Sequence, residues 1–203
     1  MFVTFEGPEG GGKTTQIARL AQRLRERGES VLVTRQPGGD PLGKALRALM
    51  LEQDEIGVDP TAELLMMMAD RAQSVATIIR PALRSGAVVL CDRYADSSVV
   101  YQGVARGLGV ETVDALNAVA TGGLTPDLTF LLDIDPAAGL QRQTSRNRME
   151  KEDLAFHDAV RRGYLNLAER EKGRIIVIDA GRPIDSVAEV LWEKYETHRR
   201  SRA

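Results

Sequence analysis

Five short apolar runs alternate along the chain with longer segments whose apolar residues recur every three or four positions. The runs are Phe2–Glu6, Val31–Thr34, Val88–Cys91, Leu128–Leu132 and Ile175–Ile178. Each is nearly continuous in Val, Ile, Leu or Phe, the pattern of a strand covered on both faces. Between the first two, residues Lys13–Arg27 set Ile17, Leu20, Ala21 and Leu24 on one helical face, with Gly28 as the stop. Thr61–Arg84 repeats that spacing with Leu64, Leu65, Met68, Ala72, Val75 and Ile79. Further helices are predicted over Val160–Glu171 and Val187–Tyr195. The alternation implies an α/β fold, a parallel sheet with helices on both faces. No repeat, linker or break in composition divides the chain, so residues 1–203 are expected to form one domain. Gln141–Asp153 is Arg-rich and poor in apolar residues, which fits either a mobile loop or an ordinary solvated surface.

Composition narrows the function classes. Apolar residues make up 43% and charged residues 28%, which argues against a disordered or fibrous chain. The formal net charge of -2 lacks the basic excess of a nucleic-acid binder, so a polyphosphate ligand needs a local cluster of cations. The single cysteine, Cys91, excludes an intrachain disulfide framework and is expected to be a buried small hydrophobe. Met1 runs directly into Phe2–Phe5 without a leader-like segment, and no run is long and apolar enough to span a bilayer. A cytoplasmic location without a membrane partner is the expectation. His157 and His198 stand isolated in polar sequence and are expected at the surface, whereas Trp192 is expected in the core.

The segment Gly7-Pro8-Glu9-Gly10-Gly11-Gly12-Lys13-Thr14 matches the phosphate-binding pattern G-x-x-x-x-G-K-[ST] in full, and Thr15 follows it. It leaves an apolar strand and opens a helix. Glycines let the backbone point N–H groups at an anion, and the helix adds its positive end. Lys13 can reach terminal phosphates, and the Thr14 hydroxyl can coordinate Mg2+. Two more constellations follow strands. Thr34-Arg35-Gln36-Pro37-Gly38-Gly39 precedes Arg47, offering two cations for a second anion. Asp92-Arg93-Tyr94 leads to Ser98, Tyr101, Gln102 and Gly103. Ligands of such sheets sit at the strands' carboxyl ends, where Asp92 can hold Mg2+ directly or through water and Arg93 can clamp a phosphate. Arg142, Arg146 and Arg148 can close over a nucleotide and exclude water.

Taken in order, Phe5-Glu6-Gly7 with the phosphate loop, Thr34 to Gly39, Asp70-Arg71-Ala72-Gln73, Asp92-Arg93-Tyr94 through Tyr101-Gln102-Gly103, and Leu132-Asp133-Ile134-Asp135-Pro136 resemble the bacterial thymidylate kinases. The resemblance implies a P-loop NTPase fold with a five-stranded parallel sheet in the order 2-3-1-4-5, flanked by helices, and a short Arg-rich lid near residues 141–153. It implies transfer of phosphate from ATP to dTMP, giving dTDP and ADP for dTTP synthesis, with Mg2+, in a homodimer. Carried over by position, Glu9 receives the 3′-hydroxyl of dTMP; Arg35, Arg47 and Arg93 face its phosphate. Arg71, Ser98 and Gln102 read the base, Met67 covers it, and Tyr101 packs under the sugar. Lys13, Arg93, Arg146 and Arg148 are the implied catalytic cations, Arg142 stacks on adenine, and Ala180-Gly181 lies beside it. Thr14 and Asp92 are the implied metal ligands.

The chain departs from that family's pattern at three places. Gln36 replaces a usual Glu, Met67 replaces the usual Phe, and Asn147-Arg148-Met149-Glu150 replaces an Asp-Arg-Ile-Glu-like lid motif. A kinase for another nucleoside monophosphate and a non-catalytic nucleotide-binding regulator are the competing readings. Arg71 and Tyr101 disfavour the first, and Lys13, Thr14, Arg93 and Arg148 the second. A GTPase is disfavoured because the guanine-reading sequence N-K-x-D is missing.

Overall fold

The computed structural model describes residues 1–53, 57–143 and 148–201. Five parallel strands form its centre: β1 Phe2–Glu6, β2 Val31–Arg35, β3 Val88–Asp92, β4 Leu128–Asp133 and β5 Ile175–Asp179. Their order is β2-β3-β1-β4-β5. In the middle strand, Thr4 pairs with Cys91 of β3 and Thr129 of β4. The three inner strands are buried on both faces, apart from the last residues of β3 and β4, as their apolar runs predict. The two edge strands are not, since Val33 of β2 and Val177 of β5 stay 42% and 46% exposed. Four strands also run one residue past their apolar stretch, to Arg35, Asp92, Asp133 and Asp179. Pairing of Arg35 with Asp92 and of Asp133 with Asp179 continues the ladder through these polar residues. With Glu6, every strand thus ends on a charged side chain, all at one edge of the sheet.

Successive strand residues point to opposite faces, and two helical layers cover them. On one face α1 (Lys13–Glu26) and α9 (Ile184–Ser201) bring Ile17, Leu20, Leu24, Leu191, Trp192 and Tyr195 onto Val3, Phe5, Leu90 and Phe130. The other face carries Phe2, Val89, Cys91 and Leu131. It is covered by α3 (Pro60–Ser74) with its π-helical continuation Val75–Ile79, α4 (Arg80–Arg84) and α8 (Leu154–Arg170). The remaining helical segments are α2 (Pro41–Arg47) continuing in a π-helical turn over Ala48–Glu52, α5 (Ala95–Ser98) continuing in π-helical turns over Val99–Ala105, α6 (Val110–Thr121), α7 (Pro136–Gln141) and a 3-10 turn over Met149–Lys151.

The predicted Thr61–Arg84 helix is therefore three consecutive helical pieces. Asp59 caps its start by accepting from Thr61 N at 2.8 Å, with Pro60 in the first turn. Its predicted apolar face is only partly right. Leu64, Met68, Val75 and Ile79 are buried, but Leu65 and Ala72 are exposed, and Glu63, Asp70, Arg71 and Ser74 are buried instead. A helix that buries charge needs partners for it, and several of these lie in or beside the site. His157 also departs from expectation: it is buried on α8, its ring edge-on to Phe156. Cys91 and Trp192 lie in the core as expected.

Candidate active site

The loop Gly7–Gly12 leaves β1 and enters α1. Gly7, Gly10 and Gly12 have φ of 134°, 71° and 80°, values that favour glycine. Close approach adds a second constraint. A Cβ on Gly10 would meet the Gly139 carbonyl oxygen at 2.1 Å, and one on Gly7 the Leu132 oxygen at 2.3 Å. Lys13 Nζ donates to the Gly7 and Pro8 carbonyls at 3.0 and 2.8 Å, drawing the loop into a ring. Burial, then the positive charge of Arg93, brings the Lys13 ammonium down to about 8. Thr14 Oγ1 donates to Asp92 Oδ2 at 3.0 Å, joining the first helical turn to the end of β3.

Beside this loop, Arg93 has φ of 67°, rare for a residue with a side chain. The fold holds it there. Arg93 N donates to Phe5 O at 3.0 Å, and the next amide, Tyr94 N, donates to Glu6 Oε1 at 2.7 Å. The buried Glu6 also accepts from Ser97 Oγ at 2.5 Å and Tyr164 OH at 3.0 Å. Burial and then Asp96 raise its carboxyl pKa above the ordinary value. Arg93 Nη2 in turn donates to Glu9 Oε1 at 2.6 Å, and Tyr101 OH donates to the same oxygen at 3.0 Å. Burial pushes the Glu9 carboxyl upward, but Arg93 and Lys13 outweigh it and hold the group at about 2. A carboxylate, two cations and a phenol therefore meet within one turn of the phosphate loop.

A cleft of about 1080 Å³ runs along this edge. Of the sequence-selected residues, Glu9 to Thr15, Arg35, Arg47, Met67, Arg71, Asp92, Arg93, Ser98, Tyr101, Gln102, Arg142, Ala180 and Gly181 all line it. Gly7 and Pro8 do not, and serve through the carbonyls that hold Lys13. At one end Arg47 donates to Pro37 O at 3.2 Å, and burial followed by Arg35 lowers its guanidinium pKa. Crowded cations of this kind favour an anion between them. Arg71 lies deeper and is 2% exposed. Its donors reach Gln36 Oε1 at 3.0 Å, Ser98 Oγ at 3.0 Å, Asn117 Oδ1 at 2.6 Å and Tyr94 O at 2.9 Å. All four acceptors are neutral, so Gln36 leaves this cation without the carboxylate that a Glu would supply. The other Gln36 side-chain atom, Nε2, is buried with no hydrogen-bond partner among the described residues.

At the opposite end Arg142 Nη1 donates to Gly10 O and Ala180 O, each at 3.2 Å, bridging the phosphate loop to the segment after β5. Arg148 is not part of the cleft wall. Its Nε donates to Met50 O at 2.7 Å and its Nη2 pairs with buried Glu63, on the side of α3. Arg146 lies outside the described residues. Sequence reasoning missed Glu63, Asn117 and Tyr164 because they act through another side chain, which leaves no motif, and it placed Glu6 in the Phe5-Glu6-Gly7 motif without giving it a role. Gln36 and Leu51 also line the cleft, and Gln36 was noticed only as a departure from pattern.

A sequence profile described as thymidylate kinase matches residues 5–190. The chain is 54% identical to a protein named thymidylate kinase from Solidesulfovibrio magneticus over 95% of this chain and 97% of that one. It is 52% identical to another of that name from Deinococcus radiodurans, over 95% and 94%. The crystal structure of thymidylate kinase from Ehrlichia chaffeensis superposes with a TM-score of 0.82 at 32% identity, covering 96% of this chain and 98% of that one. On the strength of these matches over nearly its whole length, the chain belongs to the thymidylate kinase family.

Proposed function

We propose that this chain transfers the γ-phosphoryl group of ATP to dTMP, releasing ADP and dTDP, a step toward dTTP. The observation that carries the reading is the two-ended cleft. The phosphate loop stands at its centre, the Arg142–Ala180 bridge at one end and the Arg71 pocket at the other. ATP lies along the first half and dTMP along the second, so that acceptor and donor phosphates meet over Lys13 and Arg93. An oxygen of the dTMP phosphate attacks the γ-phosphorus as the bond to the β-phosphate oxygen breaks. Lys13 exchanges its two loop carbonyls for phosphate oxygens, and Arg93 stabilises charge on the moving group. Arg35 and Arg47 hold the acceptor phosphate. Glu9, kept ionised by Arg93 and Lys13, accepts the 3′-hydroxyl of the sugar.

Arg71 presents its remaining N–H to the 4-carbonyl of thymine, Ser98 and Gln102 complete the base contacts, and Met67 covers one ring face. Tyr101, fixed by Glu9, packs under the deoxyribose. Arg142 covers adenine. Mg2+ fits the oxygen pair of Thr14 and Asp92, which already sit 3.0 Å apart beside the phosphate loop. The described residues contain no cluster of three or more His, Cys, Asp or Glu suited to a metal, so most of the ion's shell would come from phosphates and water. When bound, the ion neutralises phosphate charge. Arg146 and Arg148 are assigned to the lid. One catalytic domain over residues 1–203, acting as a cytoplasmic homodimer, completes the reading carried by the resemblance.

The test is ADP formation from ATP and Mg2+ with dTMP, dUMP, dCMP, dGMP, AMP or CMP supplied singly. Strong preference for dTMP is expected. Equal turnover of another monophosphate would overturn the base assignment, and no turnover with any would overturn the kinase reading.

A further inference from the structure

Glu63 lies on the buried side of α3 and is 1% exposed, yet it does not line the cleft. Its two oxygens face two different tasks. Oε1 accepts from Gln102 Nε2 at 2.8 Å. Oε2 pairs with Arg148 Nη2, at the foot of the lid segment, and lies 3.6 Å from Arg106 Nη2. Arg106 is itself bound to Glu152 at 2.6 Å, near the end of the same segment.

A carboxylate flanked by two guanidinium groups is an acceptor only. The Gln102 side chain must therefore turn its NH2 toward Glu63, which leaves its carbonyl oxygen as the end that faces the cleft. That oxygen accepts no hydrogen bond among the described residues, although Gln102 lines the cleft wall. An acceptor in that place suits a base edge carrying a ring N–H, as in thymine and uracil at N3. It opposes cytosine, whose N3 carries a lone pair.

We propose that Glu63 is the positioning residue that sets the sense of the Gln102 amide and thereby selects pyrimidines with a protonated N3. It is held in turn by Arg148. The inference rests on the placement of the thymine edge beside Gln102 in the proposed function.

Substitution E63Q gives a directional test. Arg148 keeps the oxygen of the new amide, so the NH2 of that amide faces Gln102. Gln102 then flips, and its NH2 enters the cleft. The measurement is kcat/KM for dTMP and for dCMP in wild type and variant, at fixed ATP and Mg2+. The ratio of dCMP to dTMP is expected to rise by about tenfold or more, chiefly through KM for dTMP, the scale of one mismatched hydrogen bond at a buried site. A merely structural Glu63 would lower both rates in proportion, and an unmoved ratio in folded E63Q overturns the inference. If circular dichroism shows E63Q unfolded, E63M carries the test. It frees the amide to take either sense, so the ratio should rise by a smaller factor, and an unmoved ratio there overturns the inference as well. Wild-type enzyme without any preference for dTMP over dCMP would instead overturn the underlying substrate reading.

Discussion

Burial and Arg93 hold the Lys13 ammonium near 8, so above that pH the free enzyme gains a proton when nucleotide arrives. A triphosphate in the loop brings negative charge to the same Nζ and returns its pKa toward that of ordinary lysine. The sign then follows from linkage. Below about 8 Lys13 is charged in both states, and binding moves no proton there. Above it the free group is largely neutral and the bound group is not, so binding takes up a proton and affinity falls as pH rises. With a free-state pKa of about 8, uptake at pH 8.5 is roughly three-quarters of a proton, and affinity drops about tenfold from pH 7 to 9. The assay is titration calorimetry with a non-hydrolysable ATP analogue at pH 8.5, in two buffers of different ionisation enthalpy. The phosphates are fully ionised at that pH and contribute no uptake of their own. Lys13→Met should abolish the uptake along with much of the affinity. Wild-type heats that do not depend on the buffer would refute the reasoning.

Other outcomes follow from the same contacts. Arg93→Ala should lower kcat/KM with dTMP by on the order of 100-fold, far more than Gln36→Glu changes it, because it strips a cation from Glu9 and from the moving phosphate. Steady-state kinetics on both variants decides this. Gly10→Ala should cost on the order of 1–3 kcal/mol in urea unfolding, since φ is 71° and the new Cβ would meet Gly139 O at 2.1 Å. Unchanged stability would remove the close-approach argument. Glu9 has a folded pKa of about 2 against an ordinary 4.5, so it contributes on the order of 3 kcal/mol above pH 4.5, lost as pH falls toward 2. Glu6 shifts the opposite way and weakens the native state when ionised. The difference in unfolding free energy between wild type and Glu9→Gln should therefore narrow over that window even if total stability moves little. Arg174 grips Asp96 through two hydrogen bonds of 2.7 and 3.1 Å, so Arg174→Ala should destabilise by about 3 kcal/mol in the same urea assay.

How much of this was legible in the sequence depended on whether a residue announces itself by spacing. The inner strands did, because burial on both faces removes polar residues from a run. Val33 and Val177 broke the inference because an edge strand can keep the same apolar letters while one side meets solvent. The phosphate loop was legible in full, since glycines at positive φ and one Lys at fixed spacing form a local pattern. Helix α6 was not marked. Its apolar contrast is shallow, with Val119 exposed and Asn117 buried against Arg71. Glu63 was invisible for a related reason. A buried carboxylate looks like any surface Glu until the arginine or hydroxyl that satisfies it is brought in from a distant part of the chain. Arg148 was selected for a lid motif, but its placement on Glu63 depends on packing that no short motif records.

The charged residues that close all five strands also make the sheet a measuring device. Each strand advances about 3.3 Å per residue and alternates faces. Adding or deleting one residue inside β3 would therefore move Asp92 and Arg93 by about 3.3 Å, roughly the length of a hydrogen bond, and turn both to the wrong side. The loops beyond the edge escape that arithmetic, because their ends stay fixed whatever their length. Variation in this enzyme should thus accumulate as changes in loop size and lid length. Strand length stays locked, because it is the ruler from which the distance between the two nucleotides is set.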